Sequence, residues 1–242
     1  MKKIIADLWN TLSDFEDLYK YGFRRSGRKE YVPFVPAAGS GAEKGFDRDR
    51  GDDTLEKIAS EAAACRNCDL CLKRKKTVPG AGSYNPDVMI IGEGPGAEED
   101  ESGIPFVGAA GKYLDKWLEA IALDRKTNCF IGNVVKCRPP GNRDPLPDEI
   151  NACRGYLERQ IKILRPRAIL TLGRIAGSSI TGENEGIGRL RGKVYSFKGI
   201  PVIVTYHPSA VLRDKGKYRK PVWDDLRLLR GILDRNPDSS SG

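Results

Sequence analysis

Four of the six cysteines stand at spacings that suit a metal site. Cys65 and Cys68 form a C-x2-C pair, and Cys137 and Cys153 follow as a second, widely separated pair. Four thiolates bind either zinc or an iron–sulfur cluster. A zinc ribbon usually has two short pairs, so the wide second pair is a poor match to zinc. Cys71 extends the first pair to C-x2-C-x2-C and competes as a ligand on spacing alone.

His207 is the single histidine of the sequence, which excludes a site that needs two. Pro208 forces an extended backbone on it, so we expect His207 to end a strand and project its imidazole. It lies within a strongly basic segment, residues 189–220, whose one acidic residue is Asp214. Such a block indicates a polyanionic partner, most often nucleic acid, with a solvated basic face as the alternative. The basic residues are Arg189, Arg191, Lys193, Lys198, Arg213, Lys215, Lys217, Arg219 and Lys220.

A glycine-rich loop at Gly92–Gly96 follows an apolar run and leads into an acidic run at residues 98–100. Glycines allow a backbone to approach a ligand closely, and a dinucleotide loop is one interpretation. Pro95 removes a hydrogen-bond donor, however, and the acidic run would repel a pyrophosphate. A carboxylate in this position, Glu93, suits water activation or cation stabilisation instead.

The elements that must position these residues alternate along the chain from residue 54 onward. We predict strands at residues 88–91, 130–135, 168–172 and 202–206, and helices at 55–65, 108–122, 147–165 and 222–233, with a short helix opening at 173. This alternation indicates a three-layer α/β/α fold with a central, mostly parallel four-stranded sheet. Sites in such sheets lie beyond the carboxyl ends of the strands, where Glu93 and His207 follow their strands.

Residues outside this domain differ in composition. Residues 1–23 have apolar positions at helical spacing and predict an amphipathic helix, and residues 24–53 are polar and glycine-rich, as in a linker. We place the domain boundary near residue 53, assign 54–235 to one domain and expect 236–242 to be a disordered tail. The N-terminal 53 residues carry no net charge, so the rest of the chain holds the whole +8.

Composition also limits location and cysteine chemistry. No apolar run approaches the roughly 20 residues that cross a bilayer, and no secretory signal follows Met1. We expect a cytoplasmic, nucleoid-associated protein. Six cysteines in a reducing compartment are poor candidates for three disulfides. Cys129 lies in an apolar strand and is expected in the core.

Four strings of the sequence, in order, resemble the family 4 uracil-DNA glycosylases, the iron–sulfur members of the uracil-DNA glycosylase superfamily. The strings are Gly92–Gly96, Pro105–Gly108, Asn133–Pro140 with Asn142 and Arg143, and His207–Ser209. The resemblance covers roughly residues 54–235 and leaves residues 1–53 outside.

The resemblance implies a DNA repair enzyme that hydrolyses the N-glycosidic bond of deoxyuridine, after flipping the base out of the stack. It implies a [4Fe–4S] cluster on Cys65, Cys68, Cys137 and Cys153, without Cys71. The cluster has no redox task in hydrolysis, so we interpret it as structural.

The resemblance also implies roles for individual residues. Phe106 would stack on uracil, Asn133 would hydrogen-bond its edge, and His207 would stabilise the departing anion. Glu93 would position water or stabilise the sugar cation, and Glu99 would help to exclude the thymine methyl. The implied substrate-binding set is Gly92, Gly94, Glu99, Phe106, Asn133 and Ser209, and the implied DNA contacts are Arg138, Arg143, Val211, Leu212 and Arg213. Val211 and Leu212 are predicted to wedge into the duplex.

Two other functions stay open on the sequence. One is an iron–sulfur oxidoreductase that binds a nucleotide through the glycine loop, and the other is a non-catalytic iron–sulfur DNA-binding module. We expect single- or double-stranded DNA containing uracil as the partner of a monomer, with a protein partner as a further possibility for the helix at residues 1–23.

Overall fold

The computed structural model describes residues 53–235. The N-terminal helix, nearly all of the linker and the C-terminal tail expected from the sequence lie outside the described residues. Within residues 53–235, no helix is both long enough and apolar enough to span a bilayer.

The core of the described chain is a six-stranded sheet in the order β1-β3-β2-β4-β6-β5. The strands are β1 (Ala81–Gly82), β2 (Val88–Gly92), β3 (Cys129–Asn133), β4 (Ala168–Leu172), β5 (Val194–Phe197) and β6 (Ile200–Thr205). The four predicted strands form the parallel centre, and β1 and β5 pair antiparallel at the two edges. The prediction of four strands is therefore corrected to six.

The two additional strands carry weak sequence signals. β1 has only two residues, too few for any periodicity. β5 is only partly buried and joins β6 through a tight turn at Lys198 and Gly199, where φ is 50° and 85°. A turn with two positive φ values is the connection that a twisted hairpin favours, but Lys-Gly is a weaker signal for it than Asn-Gly.

Helices cover both faces of the sheet. They are α1 (Leu55–Ala64), α2 (Ala97–Ser102), α3 (Ala109–Ala120), α4 (Pro147–Leu164), α5 (Arg174–Thr181), α6 (Ile187–Leu190), α7 (Pro208–Arg213) and α8 (Lys215–Arg235). Val88 and Ile90 of β2 pack with α3, α7 and α8, whereas Met89 and Ile91 pack with α1, α4 and α5. This alternation along one strand confirms the predicted three layers.

The last helix begins at Lys215, seven residues before the predicted start, and contains Pro221. Proline normally ends a helical prediction because it removes a donor and crowds the preceding turn. Here Arg191 bonds the Pro221 carbonyl and forms a buried ion pair with Asp225, at 2.8 Å between Nη2 and Oδ1. Asp225 also accepts a bond from Thr205 Oγ1 at 2.7 Å, which ties α8 to the end of β6.

A strained turn places Phe106 over the sheet. Phe106 has φ of 53°, a left-handed conformation that is rare for a bulky residue. Its carbonyl accepts a bond of 2.9 Å from Arg125 Nη2, and the Arg125 Nε atom donates at 2.7 Å to Asp115 Oδ1. A Cβ on Gly111, in the first turn of α3, would overlap the same Phe106 carbonyl.

We predict that Gly111→Ala lowers the free energy of unfolding, although alanine normally stabilises a helix by about 0.5–1 kcal/mol relative to glycine. The overlap with Phe106 outweighs that gain. Gly155→Ala in α4 is the matched control, because its added Cβ meets nothing within 4 Å and should stabilise the protein. Urea unfolding measures both changes, and equal stabilisation by the two substitutions would contradict this account of the turn.

Candidate functional site

The carboxyl ends of the parallel strands form the candidate site. Gly92, at the end of β2, is paired in register with Asn133 at the end of β3. Glu93 follows β2 directly, and His207 lies two residues beyond the end of β6. Because parallel strands end at one edge of the sheet, these residues share it, as the sequence predicted.

The side chain of Asn133 is the central group at this edge. Asn133 is buried, and its Oδ1 atom has no hydrogen-bond partner among the described residues. A Cβ on Gly92 would overlap this oxygen and would lie 2.6 Å from Phe106 Cζ. Glycine at residue 92 therefore allows the Asn133 amide and the Phe106 ring to approach the end of β2 closely.

His207 is held in one tautomer by the start of α7. Its Nδ1 atom accepts a bond from the backbone N–H of Ser209 at 3.2 Å and lies 2.8 Å from Ser209 Oγ. An Nδ1 that accepts from a backbone N–H is deprotonated, so the neutral ring carries its proton on Nε2. Burial lowers the pKa of His207 to about 4, with Arg213 acting in the same direction and Glu99 opposing. His207 is therefore a neutral Nε2–H donor at neutral pH.

Phe106 and Glu99 complete one side of the site. The ring centroids of Phe106 and His207 are 5.7 Å apart. Glu99 accepts three backbone bonds, from Gly96 at 3.1 Å, Val107 at 2.9 Å and Gly108 at 3.1 Å. It thus ties the glycine loop to the segment that carries Phe106.

Glu93 has the perturbed acidity expected of a functional carboxylate. Burial and, to a smaller extent, the nearby charge of Asp144 together raise its pKa to about 7, whereas Arg174 opposes them. Arg174 and Asp144 are themselves paired, with 2.8 Å between Nη2 and Oδ2. Glu93 is consequently close to half ionised at neutral pH.

The predicted metal ligands approach one another on the α1 and α4 side of the sheet. Cys137 and Cys153 are buried together in the core, and Cys68 packs against them. Burial raises the pKa of the Cys68 thiol, with the charges of Cys65 and Cys71 adding to it. Burial likewise raises the pKa of Cys137 to about 11, and Cys153 and Cys68 act in the same direction.

Within the described residues, no group of three or more His, Cys, Asp or Glu side chains stands close enough to hold one metal ion. A single tetrahedral zinc ion would need its sulfurs about 3.8 Å apart, given Zn–S bonds of about 2.3 Å. A four-iron cluster keeps its cysteine sulfurs farther apart, since each bonds a different iron. The neighbouring thiols of Cys65, Cys68, Cys137 and Cys153 are compatible with such a cluster.

Arg74 contacts this cysteine cluster, and the sequence analysis missed it. Its Nη1 atom donates to Cys137 Sγ at 3.2 Å, and its Nη2 atom donates to the carbonyls of Ala63 and Cys65 at 2.7 and 3.0 Å. A guanidinium compensates the negative charge of thiolates and of the clusters that they bind. Only its position after the third cysteine, within a run of basic residues, could have drawn attention to it.

The predicted DNA-contacting residues divide into several groups. Val211 belongs to α7 and its side chain is fully buried in the core. The prediction that it wedges into the duplex is therefore wrong. Leu212, its neighbour, is 37% exposed. Val211 and Leu212 differ because consecutive residues of a helix point in different directions, and α7 was not predicted.

The two arginines of the 138–143 loop also have partners. Arg138 Nε donates to Asn142 Oδ1 at 2.8 Å and remains near the surface. Arg143 forms a bidentate pair with the buried carboxylate of Glu149, at 2.8 and 2.7 Å, and holds the start of α4. Arg213 ends α7 in an exposed position. Several cations of the basic block are likewise ion-paired, namely Arg189, Arg191, Lys198 and Lys220.

Comparisons with known proteins give one consistent answer. The family model described as the uracil DNA glycosylase superfamily matches residues 79–227. A type-4 uracil-DNA glycosylase of Sulfurisphaera tokodaii is 46% identical over 188 residues, covering 74% of this chain and 85% of that protein. Those of Saccharolobus solfataricus and Archaeoglobus fulgidus are 44% and 45% identical, covering 76% and 66% of this chain and 89% and 84% of those proteins.

We predict opposite effects of His207 and Glu93 on the pH dependence of stability. The pKa of His207 is about 4 in the folded state against 6.5 ordinarily, so its contribution is lost as pH falls from 6.5 to 4. The pKa of Glu93 is about 7 against 4.5, so the folded state gains stability as pH falls from 7 to 4.5.

Urea unfolding at pH 5 and pH 7.5 tests this prediction. His207→Asn should raise stability at pH 5 relative to pH 7.5, compared with the unsubstituted protein, and Glu93→Gln should lower it. Glu119→Gln, on the exposed face of α3, is the control and should leave the difference unchanged. The same pH dependence in all four proteins would refute the assignment.

Proposed function

This chain belongs to the uracil DNA glycosylase superfamily and within it to the type-4 enzymes, and from that premise we propose that it excises uracil from DNA. The reaction hydrolyses the N-glycosidic bond of deoxyuridine, releases uracil and leaves an abasic site. One observation carries the proposal: the buried Asn133 oxygen without a partner, beside the Phe106 ring at the carboxyl edge of the sheet. The iron–sulfur oxidoreductase and the non-catalytic module find no comparable support.

The Asn133 amide suits the edge of uracil. Uracil presents an N3–H donor next to the O4 acceptor, so N3–H would bond Asn133 Oδ1 while the amide N–H would bond O4. Cytosine presents an unprotonated N3, which would face Oδ1 as a second acceptor. A buried acceptor left without a donor costs about 1–3 kcal/mol, so uracil relieves a penalty that cytosine retains.

Phe106 and Gly92 supply the shape of the pocket in this proposal. A flipped base stacks on aromatic side chains, and the ring of Phe106 offers such a surface. Gly92 and Gly94 would let the backbone pass close to the base. Gly94 also packs closely on Val135, because a Cβ on Gly94 would lie 2.8 Å from a Val135 methyl carbon. Glu99 fixes the Phe106 segment through its backbone bonds, and we propose that its side of the pocket also excludes the thymine methyl.

His207 would stabilise the leaving group. As the glycosidic bond breaks, negative charge develops on uracil and positive charge on the sugar. The neutral imidazole, oriented by Ser209, would donate its Nε2–H to the uracil oxygen that gains charge. A preoriented donor in a dry site needs no reorganisation when the bond breaks.

Glu93 would act on the other side of the glycosidic bond, at the sugar or at the attacking water. Its carboxylate would hold the attacking water or stabilise the sugar cation. A pKa of about 7 makes it a competent base near neutral pH, because half of the molecules carry the charge. In either role Glu93 must be ionised when the bond breaks.

We propose that Cys65, Cys68, Cys137 and Cys153 hold a [4Fe–4S] cluster with a structural role. When bound, the cluster would cross-link the end of α1, the loop after β3 and α4. The thiols of these residues interact, and Cys71 stands next to them as an additional thiol. The loop that they fix begins directly after Asn133.

DNA would lie along the carboxyl edge of the sheet. Arg138 and Arg213 would contact phosphates, which makes binding weaken with salt. Leu212 would enter the space that the flipped base leaves. Arg143 would contribute mainly by holding the 138–143 loop on Glu149, and residues 54–235 would form the glycosylase domain.

The proposed function is tested with an oligonucleotide that carries a single uracil. We expect the full-length, cluster-loaded protein to generate an alkali-labile abasic site. Asn133→Ala and His207→Ala should each reduce the single-turnover rate by about 100-fold or more, as loss of one preorganised group commonly does. Glu119→Gln is the control and should cleave at the unsubstituted rate. Absence of strand scission by the unsubstituted protein would overturn the proposal.

Leu212 and Val211 form a matched pair for the wedge. We predict that Leu212→Ala slows excision from double-stranded DNA by roughly tenfold and leaves single-stranded DNA unaffected, because unstacking a base step costs a few kcal/mol. Val211→Ala should instead lower the free energy of unfolding by about 2 kcal/mol, through loss of buried methyl groups. Equal effects of Leu212→Ala on both substrates would contradict its role.

The cluster proposal is tested with two serine variants. Cys153→Ser should lose bound iron, acid-labile sulfide and visible absorbance, together with thermal stability. Cys71→Ser should keep all four, because we propose no ligand role for that thiol. Retention of iron and sulfide by Cys153→Ser, or their loss from Cys71→Ser, would show that the ligand assignment is wrong.

A further inference from the structure

Lys136 is a buried cation that the proposed function does not use. It is only 1% exposed, and lysine is almost never fully buried unless it is paired. Its Nζ atom donates to the backbone carbonyl of Asn133 at 2.9 Å and to Gln160 Oε1 at 2.7 Å. One of the two partners of this ammonium is therefore the residue that would recognise uracil.

The backbone carbonyl of Asn133, which accepts the bond from Lys136, lies where the described strands of the sheet offer it no hydrogen-bond donor. β3 has β1 on one side and β2 on the other, but β1 pairs only with Phe130 and Ile131. Within residues 53–235, no strand lies beside Asn133 on the β1 side to donate to its carbonyl. The ammonium of Lys136 supplies that donor from three residues farther along the chain.

Lys136 is itself held by several segments. Its backbone carbonyl accepts a bond from the Val78 N–H at 2.8 Å, and its backbone N–H lies 3.5 Å from Cys153 Sγ. Gln160, on α4, donates its side-chain amide N–H to the Pro79 carbonyl at 2.7 Å. The main chain of Lys136 is thus anchored outside the active site, through Val78 and Cys153, independently of Gln160.

We propose that Lys136 is a positioning residue for base recognition, which fixes the main chain of Asn133 and so keeps its amide directed at the uracil edge. This inference rests on the proposed function. With the Asn133 carbonyl released, its peptide unit keeps only the bond of 2.9 Å from the Val134 N–H to the Gly92 carbonyl, and it can tilt about that bond and shift the side-chain amide. A displacement of about 1 Å at a reacting group can cost about 100-fold in rate.

Lys136→Met tests the inference, with Gln160→Leu as the matched control. Methionine is unbranched and adapts to the space that the lysine stem occupies. Both substitutions remove a buried polar contact of Lys136, but only Lys136→Met removes the bond to Asn133. The readouts are the inhibition constant of free uracil, the dissociation constant for DNA with an abasic site, and cluster absorbance, each with the cluster-loaded, full-length protein.

For Lys136→Met we expect the inhibition constant of uracil to rise about tenfold and the single-turnover rate to fall about 100-fold. Binding to abasic DNA and cluster absorbance should be unchanged. For Gln160→Leu both the uracil constant and the rate should stay within about threefold of the unsubstituted protein. An unchanged uracil constant in Lys136→Met, or an equal rise in Gln160→Leu, would overturn the inference.

If Lys136→Met does not accumulate in folded form, Lys136→Gln is measured in the same way. Its amide is shorter and uncharged, so we expect a rise of several-fold in the uracil inhibition constant, and no rise would overturn the inference. The unsubstituted protein separates this test from the proposed function. If it fails to excise uracil, the proposed function falls, whereas excision with no effect of the Lys136 substitutions rejects only the positioning role.

Discussion

A buried acceptor without a donor is the constraint on which the rest of the site depends. Asn133 Oδ1 is held away from water at the end of β3 without a partner among the described residues. Leaving such an atom unpaired costs about 1–3 kcal/mol, which a ligand with a matching donor recovers. Gly92 has no Cβ that would overlap this oxygen, and the turn at Phe106 brings an aromatic ring next to it. The packing therefore leaves the amide oxygen unpaired beside an aromatic ring.

Burial also sets the charges of the two groups that would act on the glycosidic bond. It lowers the pKa of His207 to about 4 and raises that of Glu93 to about 7. Burial at this edge of the sheet thus yields a neutral donor and a partly ionised acid, which suit a departing anion and an attacking water. The charges that we propose to contact phosphates lie on exposed residues such as Arg213. Attraction of DNA would then coexist with a weakly charged site.

The sequence predicted the centre of the fold better than its edges. The four parallel strands are continuous apolar runs, which only complete burial explains, whereas β1 is too short for a pattern. Residues that follow strands, such as Glu93, were found because strand ends converge.

Val211 was misassigned because the short helix α7 was not predicted, and with it the direction of each side chain. Lys136 was missed because lysine in a basic chain is expected at the surface, and only three-dimensional packing shows that it is buried.

Inhibition by free bases tests most directly whether the Asn133 oxygen recognises uracil through its N3–H donor. The measurement is excision from single-uracil DNA in the presence of uracil, N3-methyluracil or cytosine. The account predicts inhibition by uracil, and inhibition weaker by at least about tenfold for the other two, because neither presents a donor at N3. Equal inhibition by uracil and N3-methyluracil would contradict it.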